Sequence, residues 1–593
     1  MRTPKGFRFL LLGVLVAAAA VVVIPLTASS ADSSSTLKQV SQDKIADGMS
    51  EGRSEVQPSI ASAPGSQVIV SAFEVGRVAG AASVNGGSSA VGWATSPNGG
   101  KSWGPSGLLP NTVGADGPAS GSIFPAYRNA DPSVAYDARA GQWLVASRVL
   151  GSPGNVLGIV VNRSTDGTTW SVPIVAHQAA AGDLPDKTWL TCDNASRSKG
   201  YGDCYLAYTN TGSSPANQLE MLTSSDAGQT WSAPAAPADA SVGTAAVPLV
   251  QPPAPGAAAG STCGRVVVPY VSGTTINAFF STDCGATWSA HSAVATVATH
   301  TVAQGLRTSL VPSDTIDGKG AIYLTWQTRS FRTAQTTLSA AANAGDTNIK
   351  VASVTGMAGG GTLTVDTGAG AETVTISTVG TAGAGGTGVT FAPALAAAHP
   401  VGSFVTVNGV TSTSTAAPND IAMSVMPAPT DATPAPAFGT PARIAIEADS
   451  GALSDTVDHF IPSIAADPKT SGASAHLALF YYFYPVASCV YIEDVGPNPQ
   501  TCQPNFGYVS SVDGGSTWTA PTTVATMPSL AVLVRDGTGN GSPDLGLYTS
   551  SVIPSVGKDA GRAFSVFAFG ATVNGLDESM YVPIDGLGVG GAT

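Results

Sequence analysis

Strand-length apolar runs, broken by glycine and proline, recur along this chain at 67–73, 142–147 and 476–484. Each run is led in by one short pattern: Pro58-Ser59-Ile60-Ala61, Pro132-Ser133-Val134-Ala135 and Pro462-Ser463-Ile464-Ala465. Variant lead-ins are Lys187-Thr188-Trp189-Leu190, before the run at 204–208, and Thr308-Ser309-Leu310-Val311, before 322–326. Short strands at regular spacing with turn signals between them predict an all-β chain.

A second pattern punctuates the same units. Ser511-Val512-Asp513-Gly514-Gly515-Ser516-Thr517-Trp518 reads as a hairpin tip: the glycines allow positive φ, the aspartate bonds its own turn, and the tryptophan plugs an inter-sheet gap. It recurs as Ser224–Trp231 and Ser281–Trp288, in relaxed form as Ser96–Trp103, and one residue shorter as Ser164–Trp170. This motif resembles the Asp box of the sialidase (bacterial neuraminidase repeat) superfamily. There it caps the hairpin between the third and fourth strands of a propeller blade. The resemblance implies an all-β, seven-bladed β-propeller with Asp-box hairpins, six blades being the alternative if the C-terminal segment only completes the first blade. Trp103, Trp170, Trp231 and Trp288 follow one another at about 60 residues, which sets the blade length.

From Trp288 to Trp518 the interval is too long for two blades. The excess coincides with an Ala/Gly/Thr/Val-rich stretch that keeps strand alternation, so 333–410 is expected to be an inserted small β-module. The organisation expected is a signal peptide at 1–31, an N-terminal tail at 32–54, propeller blades at 55–332, the module, and further blades at 411–593. The basic start (Arg2, Lys5, Arg8) and the apolar run after it read as an export signal; an uncleaved anchor is the alternative. Strand-like runs at 530–534, 545–549, 563–569 and 579–584 supply the last blade.

Composition sharpens this. Only 11% of residues are charged, with 69 Gly and 41 Pro, which suits turns and short strands. The formal charge of -13 argues against a nucleic-acid partner. Three local cysteine pairs, Cys192/Cys204, Cys263/Cys284 and Cys489/Cys502, read as structural disulfides of a secreted, extracellular protein. No membrane contact is expected beyond the signal peptide, and a monomer is expected.

Ligands of repeat folds bind where units converge, so residues at the starts of first strands are the candidates. Glu55, Arg128, Asp186, Lys187 and His459 are assigned to substrate binding, although each could instead cap a strand end. The resemblance implies three arginines on a substrate carboxylate, a tyrosine nucleophile and an acid/base aspartate. Arg307 is the arginine assigned, Tyr548 (or Tyr481) the nucleophile, and Asp131 and Asp458 the acidic pair. The place of the family's Arg-Ile-Pro motif reads Val56-Gln57-Pro58, and no second or third arginine is identified. Asp536, Thr538, Asn540 and Asp544 have the spacing of the first part of a calcium loop, without the closing glutamate. No cofactor is required on this reading; a structural calcium is the candidate ion. His300, His399 and His476 look isolated, which disfavours zinc. The function expected is a sialidase-like exo-glycosidase or glycan-recognising protein acting on a glycan or cell-envelope polysaccharide. The alternative is a non-catalytic binding or scaffold propeller.

Overall fold

The computed structural model describes residues 37–41, 43, 45, 51–78, 87–110, 128–151, 156–366, 370–412, 417–430, 437–446, 457–485, 503–535, 541–557, 560–572 and 575–591. The expected signal peptide, Cys489 and Cys502 lie outside these residues. Among the described residues every regular element is a strand, short 3₁₀ turns apart, and no helix is long and apolar enough to cross a membrane. Cys192–Cys204 and Cys263–Cys284 are disulfide-bonded.

The strands pair antiparallel in chain order. Glu55–Ser62, Ile69–Arg77, Ser88–Ser96 and Ser106–Leu108 form one set of four, and Arg128–Asp137, Gln142–Leu150, Val156–Ser164 and Ile174–Gln178 a second. A single pairing, Ser88 with Asn129, joins the two. Pro185–Cys192, Cys204–Asn210 and Gln218–Ser224 follow, then Leu249–Gln251, Arg265–Ser272, Thr275–Ser281 and Ser292–Thr296. Next come Ser313–Ile316, Ile322–Thr328, Asp420–Met426 and Ala442–Arg443, and then His459–Ala466, Leu477–Phe483, Asn505–Ser511 and Thr522–Thr526. Ser550–Val552, Arg562–Phe569 and Ser579–Pro583 build the last sheet. Second strands are covered on both faces: every residue of Ile69–Arg77 and Gln142–Leu150 is buried. Their apolar runs are therefore continuous where a half-exposed strand would alternate.

The first strands of successive sheets pack side by side in chain order, and the last, Ser550–Val552, packs against the first, Glu55–Ser62. The recurrent serine of the lead-in pattern stitches these seams. Ser59 Oγ accepts from the Val134 amide (3.1 Å), and Ser133 Oγ from the Leu190 amide (2.9 Å). The N-terminal segment does not end as a free tail: Leu37–Gln39 pairs with Ser579–Pro583 and becomes the outer strand of the last sheet. Two expected strands are absent: the run at 545–549 is irregular chain ahead of Ser550–Val552, and Leu530–Val532 forms a 3₁₀ turn capped by Ser529. Ser529 Oγ accepts from the Ala531 amide at 3.0 Å, a local bond that competes with strand pairing.

The recurrent turns lie between third and fourth strands, as in Asn505–Ser511 and Thr522–Thr526. Ser511 Oγ donates to Asp513 Oδ1 (2.7 Å), and the Thr517 amide and hydroxyl donate to the same carboxylate (2.8 and 2.6 Å). Trp518 Nε1 donates to the Gly515 carbonyl at 3.1 Å. Gly515 has φ 88°, and a Cβ there would fall 2.4 Å from Met423 of the preceding sheet. At the matching place in the first turn, a Cβ on Gly100 would meet the Phe564 ring of the last sheet at 2.1 Å. The turns thus bear on their neighbours in the same cyclic order as the first strands.

Residues 333–411 form a separate six-stranded sheet around Leu363, Val365, Val374, Ile376, Phe391 and Val405. The strands flanking it, Ile322–Thr328 and Asp420–Met426, pair directly with one another. His399 is not isolated: Nδ1 lies 3.0 Å from Asp366 Oδ2 and Nε2 2.9 Å from Glu372 Oε1.

The turn carboxylates titrate low. Hydrogen bonds from Thr517, first its hydroxyl and then its amide, with Ser511 next, hold Asp513 at about 2. A carboxyl with a folded pKa below its unfolded value adds stability above about pH 4 and loses it as pH falls toward the folded value. Asp513→Ala is therefore expected to lower the urea midpoint at pH 7, with the gap to wild type narrowing between pH 4 and 2.5. A gap that stays constant across that range would contradict this role.

Candidate functional site

Three consecutive first strands slip register where the lead-in pattern begins. The slips fall at Val56/Ser59, Ala130/Ser133 and Asp186/Trp189. Gln57, Asp131 and Lys187 sit inside them with φ of 56°, 49° and 53°. A left-handed non-glycine residue costs about 1–3 kcal/mol, so the surrounding sheets must hold it there. Ile461 repeats the conformation in a later sheet, at φ 49°. The three bulge residues line one cavity of about 410 Å³, together with Glu74, Arg77, Arg148, Asp186 and Arg307. Glu74 and Arg148 come from second strands, in register with Val56 and Ala130.

The charges of the cavity are paired with one another. Asp131 Oδ1 is 3.0 Å from Lys187 Nζ, and its Oδ2 is 2.9 Å from Arg148 Nε. Arg148 Nη1 reaches Asp186 Oδ1 at 3.0 Å. Arg77 Nη1 lies 3.0 Å from Glu74 Oε2, and Arg77 Nη2 3.3 Å from Asp544 Oδ2. Arg307 Nη1 meets that same Asp544 oxygen at 2.8 Å. With its amide nitrogen turned to the acids, Gln57 donates to Asp131 Oδ1 and Glu74 Oε1, both at 3.1 Å. Burial alone would raise the Asp131 carboxyl; Lys187 and Arg148 outweigh it and hold the group well below the usual range. Asp544 is likewise pulled down against its burial by Arg307 and Arg77.

Of the residues singled out from the sequence, Asp131, Asp186, Lys187 and Arg307 therefore share one cavity. Arg128 is buried nearby, its pKa lowered by burial and then by Arg148 and Arg77. Tyr548 lies below the cavity, its hydroxyl 3.5 Å from the Gln57 side chain and its ring edge-on to Trp189. Burial, then Asp131 and Glu74, push its phenol well above the ordinary value.

Other assignments fall elsewhere. Glu55 points to the seam between the chain's ends, where Ser41 Oγ and the Met580 amide donate to it. Asp458 accepts from the Asn419 amide (2.7 Å) and lies 3.4 Å from His300. His459 is wholly buried beside Asp420 and the Phe483 ring. Neither lines the cavity. Of the calcium residues, Asp536, Thr538 and Asn540 lie outside the described residues. Asp544 has both oxygens engaged, Oδ2 by two guanidinium groups and Oδ1 by the Gly546 amide (3.0 Å), an arrangement that repels a cation. Among the described residues no cluster of three or more His, Cys, Asp or Glu could hold a metal.

Sequence reading missed Gln57, Glu74, Arg77 and Arg148. The signal was present: charges closing apolar second strands, as in Phe73-Glu74-Val75-Gly76-Arg77 and Ala146-Ser147-Arg148. A charge inside a run that must be buried needs a partner.

No family model and no curated protein matches this chain. Among solved structures it is similar to the Hadza microbial sialidase, at 17% identity and TM-score 0.32, over 49% of this chain and 56% of that one. A point mutant of NanB sialidase from Streptococcus pneumoniae matches over 92% of this chain and 70% of that one, at 10% identity and TM-score 0.35. A xyloglucanase from Xanthomonas campestris matches over 93% and 56%, at 13% identity and TM-score 0.39. The chain spans 56% of the first and third of these. Similarity at this level carries no information on what the chain binds.

Two outcomes are expected from the buried charges. Asp131→Asn leaves Arg148 and Lys187 only the more exposed Asp186 as a shared anion and should cost about 3–5 kcal/mol in urea unfolding at pH 7; a loss below about 1 kcal/mol would show that the network does not depend on Asp131. Burial raises Glu55 to about 8. A carboxyl with a raised folded pKa adds stability below about pH 4.5 and loses it as pH rises through about 8. Glu55→Gln should therefore flatten the decline in stability between pH 5 and 9, a difference of a few kcal/mol at pH 9. Parallel pH profiles for the two proteins would refute this.

Proposed function

We propose that the chain is a secreted seven-bladed β-propeller of the sialidase-like kind that recognises a glycan without cleaving it. Six sheets lie outside the module, one of them double, and their first strands touch in a closed cycle. Seven blades account for that arrangement. The observation that carries the functional reading is the cavity of about 410 Å³. Strained bulges from neighbouring sheets fill its wall with donors and acceptors. Sugar hydroxyls both donate and accept, and such a wall suits them. Hydrolysis is less well supported by the same groups. Asp131 is held ionised by Lys187 and Arg148, the reverse of what a proton donor needs, and Tyr548 carries a phenol made harder to ionise.

Arg307 is the most exposed of the cavity's arginines, at 24% of its side chain. On an oligosaccharide array the wild-type protein should retain a defined subset of glycans, and Arg307→Ala should weaken that retention about tenfold. Umbelliferyl glycosides should be turned over by neither protein. Retention of no glycan, or retention indifferent to Arg307, would remove this reading; turnover abolished by Asp131→Asn would replace it with a hydrolase.

A further inference from the structure

The arginine pair Arg77–Arg307 already holds a carboxylate, and it belongs to the chain. Asp544 Oδ2 lies 3.3 Å from Arg77 Nη2 and 2.8 Å from Arg307 Nη1. The acid is wholly buried and cannot swing aside. Its Oδ1 accepts from the Gly546 amide (3.0 Å), its own amide donates to the Val534 carbonyl (2.9 Å), and the Arg307 amide donates to the Pro543 carbonyl (2.9 Å). We propose that Asp544 is a built-in anion that occupies the guanidinium pair, so that the cavity selects uncharged polyhydroxylated sugars and rejects sugar acids.

This deepens, and rests on, the reading of the cavity as a glycan site. A sugar carboxylate brought to Arg77 and Arg307 would meet Asp544 at close range, and like charges sharing a site repel. Arg128 is buried and does not line the cavity, and the charges that meet one another around the cavity largely cancel. The cations Arg77, Arg148, Lys187 and Arg307 are matched by Glu74, Asp131, Asp186 and Asp544. The groups a ligand meets first are of mixed sign: Asp186 is 27% exposed, Arg307 24% and Lys187 16%, whereas Asp131, Glu74, Arg77 and Arg148 are at 7% or less. One acceptor among two donors matches a row of neutral hydroxyls.

The test uses full-length wild type and Asp544→Asn, which keeps the shape and removes the charge. Sodium acetate and N-acetylneuraminate are titrated calorimetrically against each. Wild type should show no saturable uptake. Asp544→Asn should bind both acids at least about tenfold more tightly, and adding Arg307→Ala should abolish the gain. Saturable N-acetylneuraminate binding by wild type, or a folded Asp544→Asn without any gain for acetate, would overturn the proposal. Should Asp544→Asn fail to fold, wild type alone decides through glucose-ended and glucuronate-ended oligosaccharides of one length. Preference for the neutral member supports the proposal, and equal or stronger retention of the acid sinks it. An array that retains nothing defeats the glycan reading instead, while the acetate comparison still judges Asp544.

Discussion

Pairing of Leu37–Gln39 with Ser579–Pro583 is the contact on which the whole arrangement rests. It joins the two ends of a long chain in one sheet, and every other seam presupposes that the sheets are held in a cycle. Each neighbouring pair of first strands gains only a few bonds, such as that from Val134 to Ser59. In an open arc the last sheet would leave the Phe564 ring without the cover of Gly100 in the first. A closed cycle spreads closure over all seams at once. Glu55 sits in that junction with its carboxyl kept protonated by burial, so the closure itself is sensitive to pH.

Closure has a chemical result at the centre. First strands that converge from several sides must turn some side chains toward one another. The register slips at Gln57, Asp131 and Lys187 make polar groups face inward where regular strands would present an apolar wall. Placed so close, charges of one sign would be untenable, and the observed solution is alternation: acid, base and acid bridged by an amide. That alternation keeps Asp131 ionised, while burial, then Asp131 and Glu74, keep Tyr548 protonated. Stability and chemistry therefore pull apart at this site, since the pairing that permits buried charge also quiets the groups a hydrolase would use.

Much of the architecture was readable in the amino-acid order, because it is periodic. The Ser-x-Asp-x-Gly-x-Thr-Trp turns and the Pro-Ser lead-ins marked strand boundaries, and the loss of aromatics marked the separate sheet at 333–411. Leu530–Val532 misled because an apolar run alone does not distinguish a strand from a turn capped by a serine. The cavity was half legible. Residues adjoining the lead-in pattern, such as Asp131 and Lys187, could be found by position. Arg77 and Arg148 could not, since they belong to second strands and reach the centre only through cross-strand register. Glu55 shows the converse failure: the right stretch of strand, but the opposite side of a bulge.

The direct pairing of Ile322–Thr328 with Asp420–Met426 has a consequence for how this chain could have been assembled. Topologically, everything between those strands is an oversized hairpin loop whose ends the host sheet already clamps. Its sheet has a core of its own, and the loop-closure entropy grows only slowly with loop length. The host reaches only into the base of that loop, where Arg332 donates to the Asn419 and Val457 carbonyls. The host sheet behaves as a socket, closed by its own strands and carrying a second fold in one of its hairpins.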